Sequence, residues 1–285
     1  MKIKKNRYLL LLSEYYAIIC SGIILLCSCK STGGFMEAER ITFNGTNYVQ
    51  SFYDDFDGDE LNSKNWERCP EWQRQDLGGY WKNDCTTVKD SCLILESKKD
   101  GDNLYSGAVR TNGKFEQGYG LYKIRFKTEK TSGCWSAFWL MTETEKNIGG
   151  GAVDGAEIDI FEIIANDLNY PEGKRKYLNS AIHWDGYDAD HKMHNSMYNF
   201  DDSFYEDWHE VTFEWTKDYY KAWLDDAAEP YWDSTKDGAE AYGGINTTKN
   251  YVKITSEFGK WGGDVKDELL PHHFYVDWVK IYKPE

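Results

Sequence analysis

The sequence predicts an all-β protein, a two-sheet β-jelly-roll sandwich with one concave face. In the segments Tyr122–Lys127 and Val211–Trp215, apolar side chains alternate with polar ones at period two, which is typical of half-buried strands. Gly, Asn and Asp separate these segments, and no stretch shows the 3.6-residue period of an ordinary amphipathic helix. Many short strands in one chain favour two packed sheets.

Each further strand rests on a run of apolar or alternating residues between turn residues. Strands are predicted over residues 93–97, 135–141, 156–164, 178–184, 219–224, 251–257 and 274–282. From about Ile41 to Glu285 we find no linker, repeat or low-complexity run. Residues 41–285 are therefore predicted to form one domain.

The composition excludes several classes of protein. The chain has 285 residues with 12 Trp, 21 Tyr and 13 Phe, too many core-forming side chains for a disordered protein. Its formal charge of -15 would repel a nucleic-acid backbone. We therefore expect no nucleic-acid partner, a partner without strong charge, and a monomer.

The N-terminus has the pattern of a bacterial lipoprotein signal. A basic start (Met1–Arg7) precedes an apolar stretch (Tyr8–Leu26), and Leu26-Cys27-Ser28-Cys29 resembles a lipobox. We predict a signal peptide over 1–28, lipidation of Cys29 and a tether over 29–40, hence an exported protein anchored to a membrane. An uncleaved membrane span is the alternative, although Glu14 disfavours it.

Four cysteines remain after the predicted signal and lipid site, and they allow three disulfide pairings. They are Cys69, Cys85, Cys92 and Cys134. We favour Cys85 with Cys92 because the polar residues between them could form a turn between strands. No spacing indicates a zinc site.

Three acids interrupt the apolar strand predicted at residues 156–164. On a regular strand Glu157 and Asp159 share one face, and Glu162 points to the other. One extra residue in a β-bulge would return Glu162 to the shared face. Sheet curvature and long side chains could then bring the two glutamate carboxyl groups to about 5 Å, the separation of a retaining glycosidase.

This arrangement predicts a division of roles. A retaining mechanism needs one carboxylate that attacks the anomeric carbon and one acid that protonates the departing oxygen, and repulsion among acids raises one pKa. We predict Glu157 as the nucleophile, Glu162 as the acid/base and Asp159 as the residue that tunes both. The alternatives are solvated acids on an edge strand or ligands of a structural Ca²⁺.

The Glu-Ile-Asp-Ile-Phe-Glu segment at 157–162 resembles the ExDxxE signature of glycoside hydrolase family 16. Further similar segments are 106–115, 133–141 (with Ser136 where proline is usual), 208–216 and 274–282, so that the resemblance covers roughly Phe52 to Tyr282. It implies a β-jelly roll with an open cleft, an endo-acting retaining mechanism without a catalytic cofactor, and the same three roles for the acids.

The resemblance also suggests the substrate. The Trp-rich segment at 133–141 and the acid motif are similar to those of laminarinases, so we expect a β-1,3-glucan or a mixed-linkage β-1,3-1,4-glucan. A galactan or host glycan, cleaved by an agarase-like or endo-β-galactosidase-like activity, is the alternative within the family. A non-catalytic glycan-binding jelly roll and a transglycosylase are the others.

Sugar clefts combine aromatic faces with hydroxyl-binding polar groups. We expect glycan contacts from Trp135 and Trp139, which lie four apart on one strand face, and from Trp261 in a glycine-flanked loop. The resemblance adds the following residues: His183 with its neighbour Trp184, Arg110 and Asn83.

The resemblance further implies a structural Ca²⁺ at Asp277 in the last predicted strand. A metal could also be read into the run from Tyr187 to His194, which holds two histidines and two aspartates. We interpret that run as a solvated loop.

Overall fold

The computed structural model describes residues 38–73, 79–166 and 175–285. The predicted signal peptide and Cys29 lie outside the described residues. Within the described part of the chain, no helix has the length and hydrophobicity needed to cross a membrane.

Two sheets form the described part of the chain, and we number the strands in chain order. The back sheet consists, in chain order, of β1 (Arg40–Phe43), β2 (Thr46–Asp54), β4 (Tyr80–Trp81), β5 (Thr86–Lys89), β6 (Cys92–Asp100), β7 (Asn103–Ser106), β10 (Gly120–Thr128), β15 (His209–Trp215), β16 (Tyr220–Leu224), β17 (Trp232–Asp233) and β19 (His272–Pro284). The cleft sheet consists of β3 (Glu67–Arg68), β8 (Ala108–Arg110), β9 (Glu116–Gln117), β11 (Cys134–Met141), β12 (Glu157–Asn166), β13 (Arg175–Trp184), β14 (Lys192–Asn199) and β18 (Asn250–Phe258).

The cleft sheet has the spatial order β14-β13-β12-β11-β18-β8-β3, and the back sheet the order β17-β16-β15-β10-β19-β6-β7-β4. Short 3₁₀ helices occupy some of the connections. They span Asn83–Cys85, Glu143–Lys146, Gly151–Asp154, Asp202–Tyr205, Ser234–Lys236, Ala239–Tyr242, Lys260–Gly262 and Asp267–Leu269. The two-sheet, all-β prediction is confirmed for the described residues.

The sequence alternation sets which face of each strand is buried. Along β10, Tyr122, Ile124 and Phe126 are fully buried between the sheets, whereas the lysines and arginine between them remain half-exposed. Phe126 stacks on Phe161 of the cleft sheet with ring centroids 4.6 Å apart. The core between the sheets thus holds the cleft sheet rigidly against the back sheet.

The turn predicted between Cys85 and Cys92 exists, but the disulfide does not. Asp90 and Ser91 form a two-residue hairpin turn with φ of 54° and 56°. In this hairpin Lys89 pairs with Cys92, so Cys85 lies about four residues, roughly 13 Å, along the strand from Cys92. That separation exceeds the reach of a disulfide, and all four described cysteines are free thiols.

Candidate active site

Strand β12 contains the predicted bulge. Trp139 of β11 pairs with Asp159 and the adjacent Phe138 pairs with Phe161, so Ile160 is the extra residue. Ile160 and Phe161 are both fully buried in the core. The bulge therefore restores Glu162 to the cleft face, as predicted.

Two hydroxyl groups stabilise the bulge. An extra residue in a strand leaves a backbone carbonyl without its partner in the ladder, and a buried unpaired carbonyl is costly. The carbonyl of Ile160 accepts hydrogen bonds from Ser180 Oγ at 2.7 Å and from Tyr231 Oη at 2.9 Å. Residues on β13 and in the loop before β17 therefore fix the geometry of the acids.

The three acids line one cleft of about 660 Å³ on the concave face of the cleft sheet. This volume is typical of sites that take several sugar-sized groups. Aromatic, polar and charged side chains share the lining. They are Trp72, Trp81, Trp135, Trp139, Met141, Glu157, Asp159, Glu162, Asn179, His183, Tyr187, Met193, Asn195, Lys253, Glu257 and Trp261.

Glu162 is held at the cleft floor by two donors. Trp135 Nε1 donates to Oε1 and Asn179 Nδ2 donates to Oε2, both at 3.1 Å. Burial, followed by the charge of Asp159, raises the pKa of Glu162 well above its usual range, and the hydrogen bond from Asn179 only partly opposes this. Glu162 is therefore suited to hold a proton near neutral pH.

Asp159 is buried between the two glutamates and contacts His183, whose Nε2 lies 3.3 Å from Asp159 Oδ2. Burial and the charge of Glu157 raise the pKa of Asp159 to about 7. Burial lowers the pKa of His183, but the hydrogen bond and the charges of Asp159 and Glu157 outweigh it and raise that pKa to about 9. The pair can thus exchange a proton within the physiological range.

The loop after β13 contributes to the site, and its interpretation as merely solvated is wrong for two residues. Tyr187 Oη donates to Glu157 Oε2 at 2.5 Å, which leaves the other oxygen of Glu157 for a ligand. His191 Nε2 lies 2.9 Å from His183 Nδ1, with the two rings parallel. Loop residues therefore orient both Glu157 and His183.

One group of metal-ligating atoms occurs among the described residues. One ligand atom each from Glu157, Asp159 and His183 lie within 4.8 Å of one another. These are the residues of the acid cluster itself. The run from Tyr187 to His194 forms no such group in the described structure.

The three predicted cleft tryptophans all line the cleft. Trp261 is 37% exposed and makes an edge contact with Trp135. Trp139 donates from Nε1 to Thr255 Oγ1, and the ammonium group of Lys253 lies 3.7 Å from its ring centroid. One ring face of Trp139 is therefore covered by a cation and is closed to a sugar.

The predicted glycan contact of Trp184 is wrong. Side chains alternate along β13, so Trp184 points away from His183 into the core between the sheets, where it is 6% exposed. Gly243 packs directly against its indole ring. Trp184 supports the sheet and does not contact the cleft.

Arg110 and Asn83 lie outside the cleft lining, against prediction. Arg110 Nε donates to Glu67 Oε1 at 2.6 Å, an ion pair across β3 and β8. Asn83 is exposed on a 3₁₀ turn, and its backbone carbonyl accepts a hydrogen bond from Arg68. Arg110 therefore ties β8 to β3 through its side chain, whereas the contact of Asn83 with Arg68 involves only its backbone.

Several cleft residues were not predicted. Asn179 could have been found, since it lies four residues before His183 on the same strand face. Lys253 also carried a signal, because a lysine interrupts the otherwise apolar run from Tyr251 to Ile254 in β18. Tyr187 gave no signal, because its approach to Glu157 depends on the path of a loop.

The residues around Asp277 do not fit a calcium site. The carboxylate of Asp277 forms an ion pair with the guanidinium of Arg125 on the neighbouring strand β10. A second cation at this carboxylate would be repelled by the first. Asp277 is also absent from the groups of metal-ligating atoms found among the described residues.

A two-sheet jelly roll with acids and tryptophans on its concave face is the architecture of a carbohydrate-active protein. The model of glycosyl hydrolases family 16 matches residues 73–280, and the chain belongs to this family.

Individual relatives are distant. The chain is 28% identical over 226 residues to a β-glucanase of Acetivibrio thermocellus, a match that covers 78% of this chain and 57% of the relative. It is 23% identical over 221 residues to the clotting factor G α subunit of Tachypleus tridentatus, covering 74% of this chain and 30% of that protein. The chain thus spans about half or less of the length of these two relatives.

Solved structures share the fold of this chain. The structure of an endo-β-1,3-glucanase from Pyrococcus furiosus superimposes with a TM-score of 0.68 at 22% identity, covering 87% of this chain and 98% of that one. The likeness extends over nearly the whole of that protein.

Proposed function

We propose that this protein is an endo-acting, retaining glycoside hydrolase that cleaves a β-1,3-glucan or a mixed-linkage β-1,3-1,4-glucan. One observation carries the proposal: the bulge at Ile160 aligns Glu157, Asp159 and Glu162 in one row at the floor of an open, tryptophan-lined cleft. Membership of family 16 and the β-glucanase relatives support it.

In the first step, the free carboxylate oxygen of Glu157 attacks the anomeric carbon of the sugar. The bond from that carbon to the glycosidic oxygen breaks, and Glu162 gives its proton to the departing oxygen. The raised pKa of Glu162 keeps that proton available at neutral pH. A glycosyl ester on Glu157 results.

In the second step, Glu162, now ionised, takes a proton from a water molecule that attacks the anomeric carbon of the ester. Glu157 is released and the product keeps its original configuration. Asp159 and its partner His183 adjust their shared proton as the charge on both glutamates changes. If a sugar hydroxyl replaces water, the same residues catalyse transglycosylation.

The cleft supports an endo-acting mode. Trp72 and Trp261, exposed by 48% and 37%, lie in the lining beyond the acids and can stack on sugar rings. Met193 and Asn195 extend the lining onto β14 at the opposite side. A chain that crosses the sheet can therefore contact the protein on both sides of the cleaved bond.

The test is product analysis with laminarin, lichenan, agarose, carrageenan, galactan and mucin-type glycans. We expect oligosaccharides from a β-glucan, with the β-anomer as the first product by NMR. In Glu157→Ala, azide should restore turnover and yield an α-glycosyl azide; in Glu162→Ala, it should yield a β-glycosyl azide.

Release of products from a galactan alone would replace the substrate in this proposal. Glycan binding without turnover by the native protein, equal in Glu157→Gln, would instead establish a binding protein. Inverted products would contradict the assigned mechanism.

We also propose that the protein is exported and anchored through a lipid on Cys29, on the basis of the sequence of its N-terminus. Metabolic labelling with a fatty acid should label the native chain and not Cys29→Ala. Label that persists in the variant, or a soluble native protein, would overturn this. That the protein is a monomer stays a prediction.

A further inference from the structure

Lysine 253 has an unusual environment for a charged side chain. It lies on β18 in the cleft lining and is only 8% exposed. Its ammonium group lies 3.7 Å from the ring centroid of Trp139 and 4.8 Å from that of Trp81. The two aromatic faces flank the ammonium and hold it on the cleft floor.

No hydrogen bond or ion pair joins the Lys253 ammonium to any residue that the structure describes. Its neighbour across the strands, Arg110, carries the same charge and is itself paired with Glu67. Burial lowers the pKa of Lys253, and the charges of Glu257 and Glu157 oppose this shift. The Lys253 ammonium thus has no hydrogen-bond acceptor among the described residues, and its three N–H groups face the cleft, where a ligand can supply one.

The charges of the cleft are separated in space. In the register of the sheet, Asp159, Trp139, Lys253 and Arg110 follow one another on adjacent strands. Two strand spacings, about 10 Å, therefore separate the level of the acids on β12 from that of Lys253. That distance places Lys253 beside a sugar next to the one that reacts, on the β18 side.

We propose that Lys253 forms a subsite for an anionic substituent of the glycan, a sulfate ester or a carboxylate, one sugar away from the cleaved bond. An anion at this point would accept charge-assisted hydrogen bonds from the ammonium. A neutral sugar supplies only hydroxyl acceptors, which form weaker hydrogen bonds with a cation than an anion does. This inference deepens the proposed function and rests on the same cleft.

The experiment measures binding, so that it does not depend on turnover. The protein with Glu157→Gln is titrated calorimetrically with a β-1,3-glucan hexasaccharide, its 6-O-sulfated form and its 6-carboxylated form, with and without Lys253→Met. We expect Lys253→Met to weaken binding of at least one anionic form about tenfold or more, and binding of the neutral form by less than twofold. The two anionic forms distinguish a sulfate site from a carboxylate site.

Lys123→Met serves as the matched control. It removes the same charge from the back sheet, where Lys123 pairs with Glu210 at 2.5 Å, and should leave all three affinities unchanged. Lys253→Arg retains the charge and should keep the preference for the anionic form. If Lys253→Met does not fold, Lys253→Gln is compared with Lys253→Arg instead.

Equal loss of affinity for neutral and anionic forms would overturn the proposal, because the ammonium would then serve hydroxyl groups. The absence of any preference in the native cleft would also overturn it. Turnover of neutral glucan by the native protein is measured separately. Hydrolysis without the Lys253 effect refutes this inference alone, whereas the Lys253 effect without any hydrolysis refutes the proposed function alone.

Discussion

Exposed acids on the back sheet and the clustered acids on the cleft sheet have different kinds of partner. Two half-exposed acids of the back sheet pair with cations across neighbouring strands: Glu210 with Lys123 between β15 and β10, and Asp277 with Arg125 between β19 and β10. On β12 of the cleft sheet, the described partners of the three acids are Tyr, His, Trp and Asn side chains.

This difference in partners indicates what the acids of each sheet do. Half-exposed ion pairs on the back sheet contribute little to stability. Burial, followed by repulsion from a neighbouring acid, raises the pKa of Asp159 and of Glu162, which destabilises the fold but leaves protons that can move. The protons that the proposed mechanism moves therefore lie on the cleft sheet.

The largest effect is expected when Glu162 is replaced by a residue that cannot donate a proton. In Glu162→Gln, kcat on a β-glucan should fall by about 10²–10⁴-fold, because no acid can protonate the departing oxygen. An aryl glucoside with a good leaving group should retain a much faster first step, visible as a burst of the released phenol. Equal losses on both substrates would remove Glu162 from the acid role.

The second prediction concerns stability against pH. Folding raises the pKa of Asp159 to about 7 from a usual value of about 4, so its contribution to stability is complete below about pH 4 and is lost as the pH rises through 7. The raised pKa of His183, about 9, acts in the same direction above about pH 6.5. Asp159→Asn should therefore gain about 2–4 kcal/mol relative to the native protein between pH 4 and pH 8.

Urea unfolding of both proteins at pH 4, 6 and 8 measures this change. Asp277→Asn is the control, since its carboxylate is paired on the back sheet. If the free energy of unfolding changed equally with pH in the native protein and in Asp159→Asn, folding would not raise the pKa of Asp159.

A smaller effect is expected at the bulge. Tyr231→Phe removes one of the two hydroxyls on the Ile160 carbonyl and should lower the free energy of unfolding by about 1–2 kcal/mol. Because the bulge aligns Glu162 with Glu157, kcat should fall several-fold while KM changes little. Loss of stability with kcat unchanged would limit Tyr231 to a role in folding.

The smallest effect is expected on the back sheet. Glu210→Gln breaks the ion pair with Lys123 and should cost less than about 1 kcal/mol, with no change in kcat. Urea unfolding and a standard activity assay measure both. A loss of activity here would show that the two sheets do not separate structure from chemistry.

The strands and the bulge could be predicted because alternation and turn residues are local signals. Each strand predicted from period two was found, and the bulge followed from the spacing of Glu162. Trp184 was misplaced although the same alternation assigns it to the face opposite His183. The disulfide prediction failed because a hairpin register, which sequence spacing does not fix, separates Cys85 from Cys92.

The sequence by itself determined the two-sheet fold, the family and the three acids on one strand face, since these depend on residue types and a period of two along single strands. Tertiary structure alone decided the partners of those acids. The loop that carries Tyr187 to Glu157, the hydroxyls on the bulge and the two tryptophans around Lys253 come from distant parts of the chain. Contacts between distant segments depend on how the sheets and loops pack, which no local pattern records.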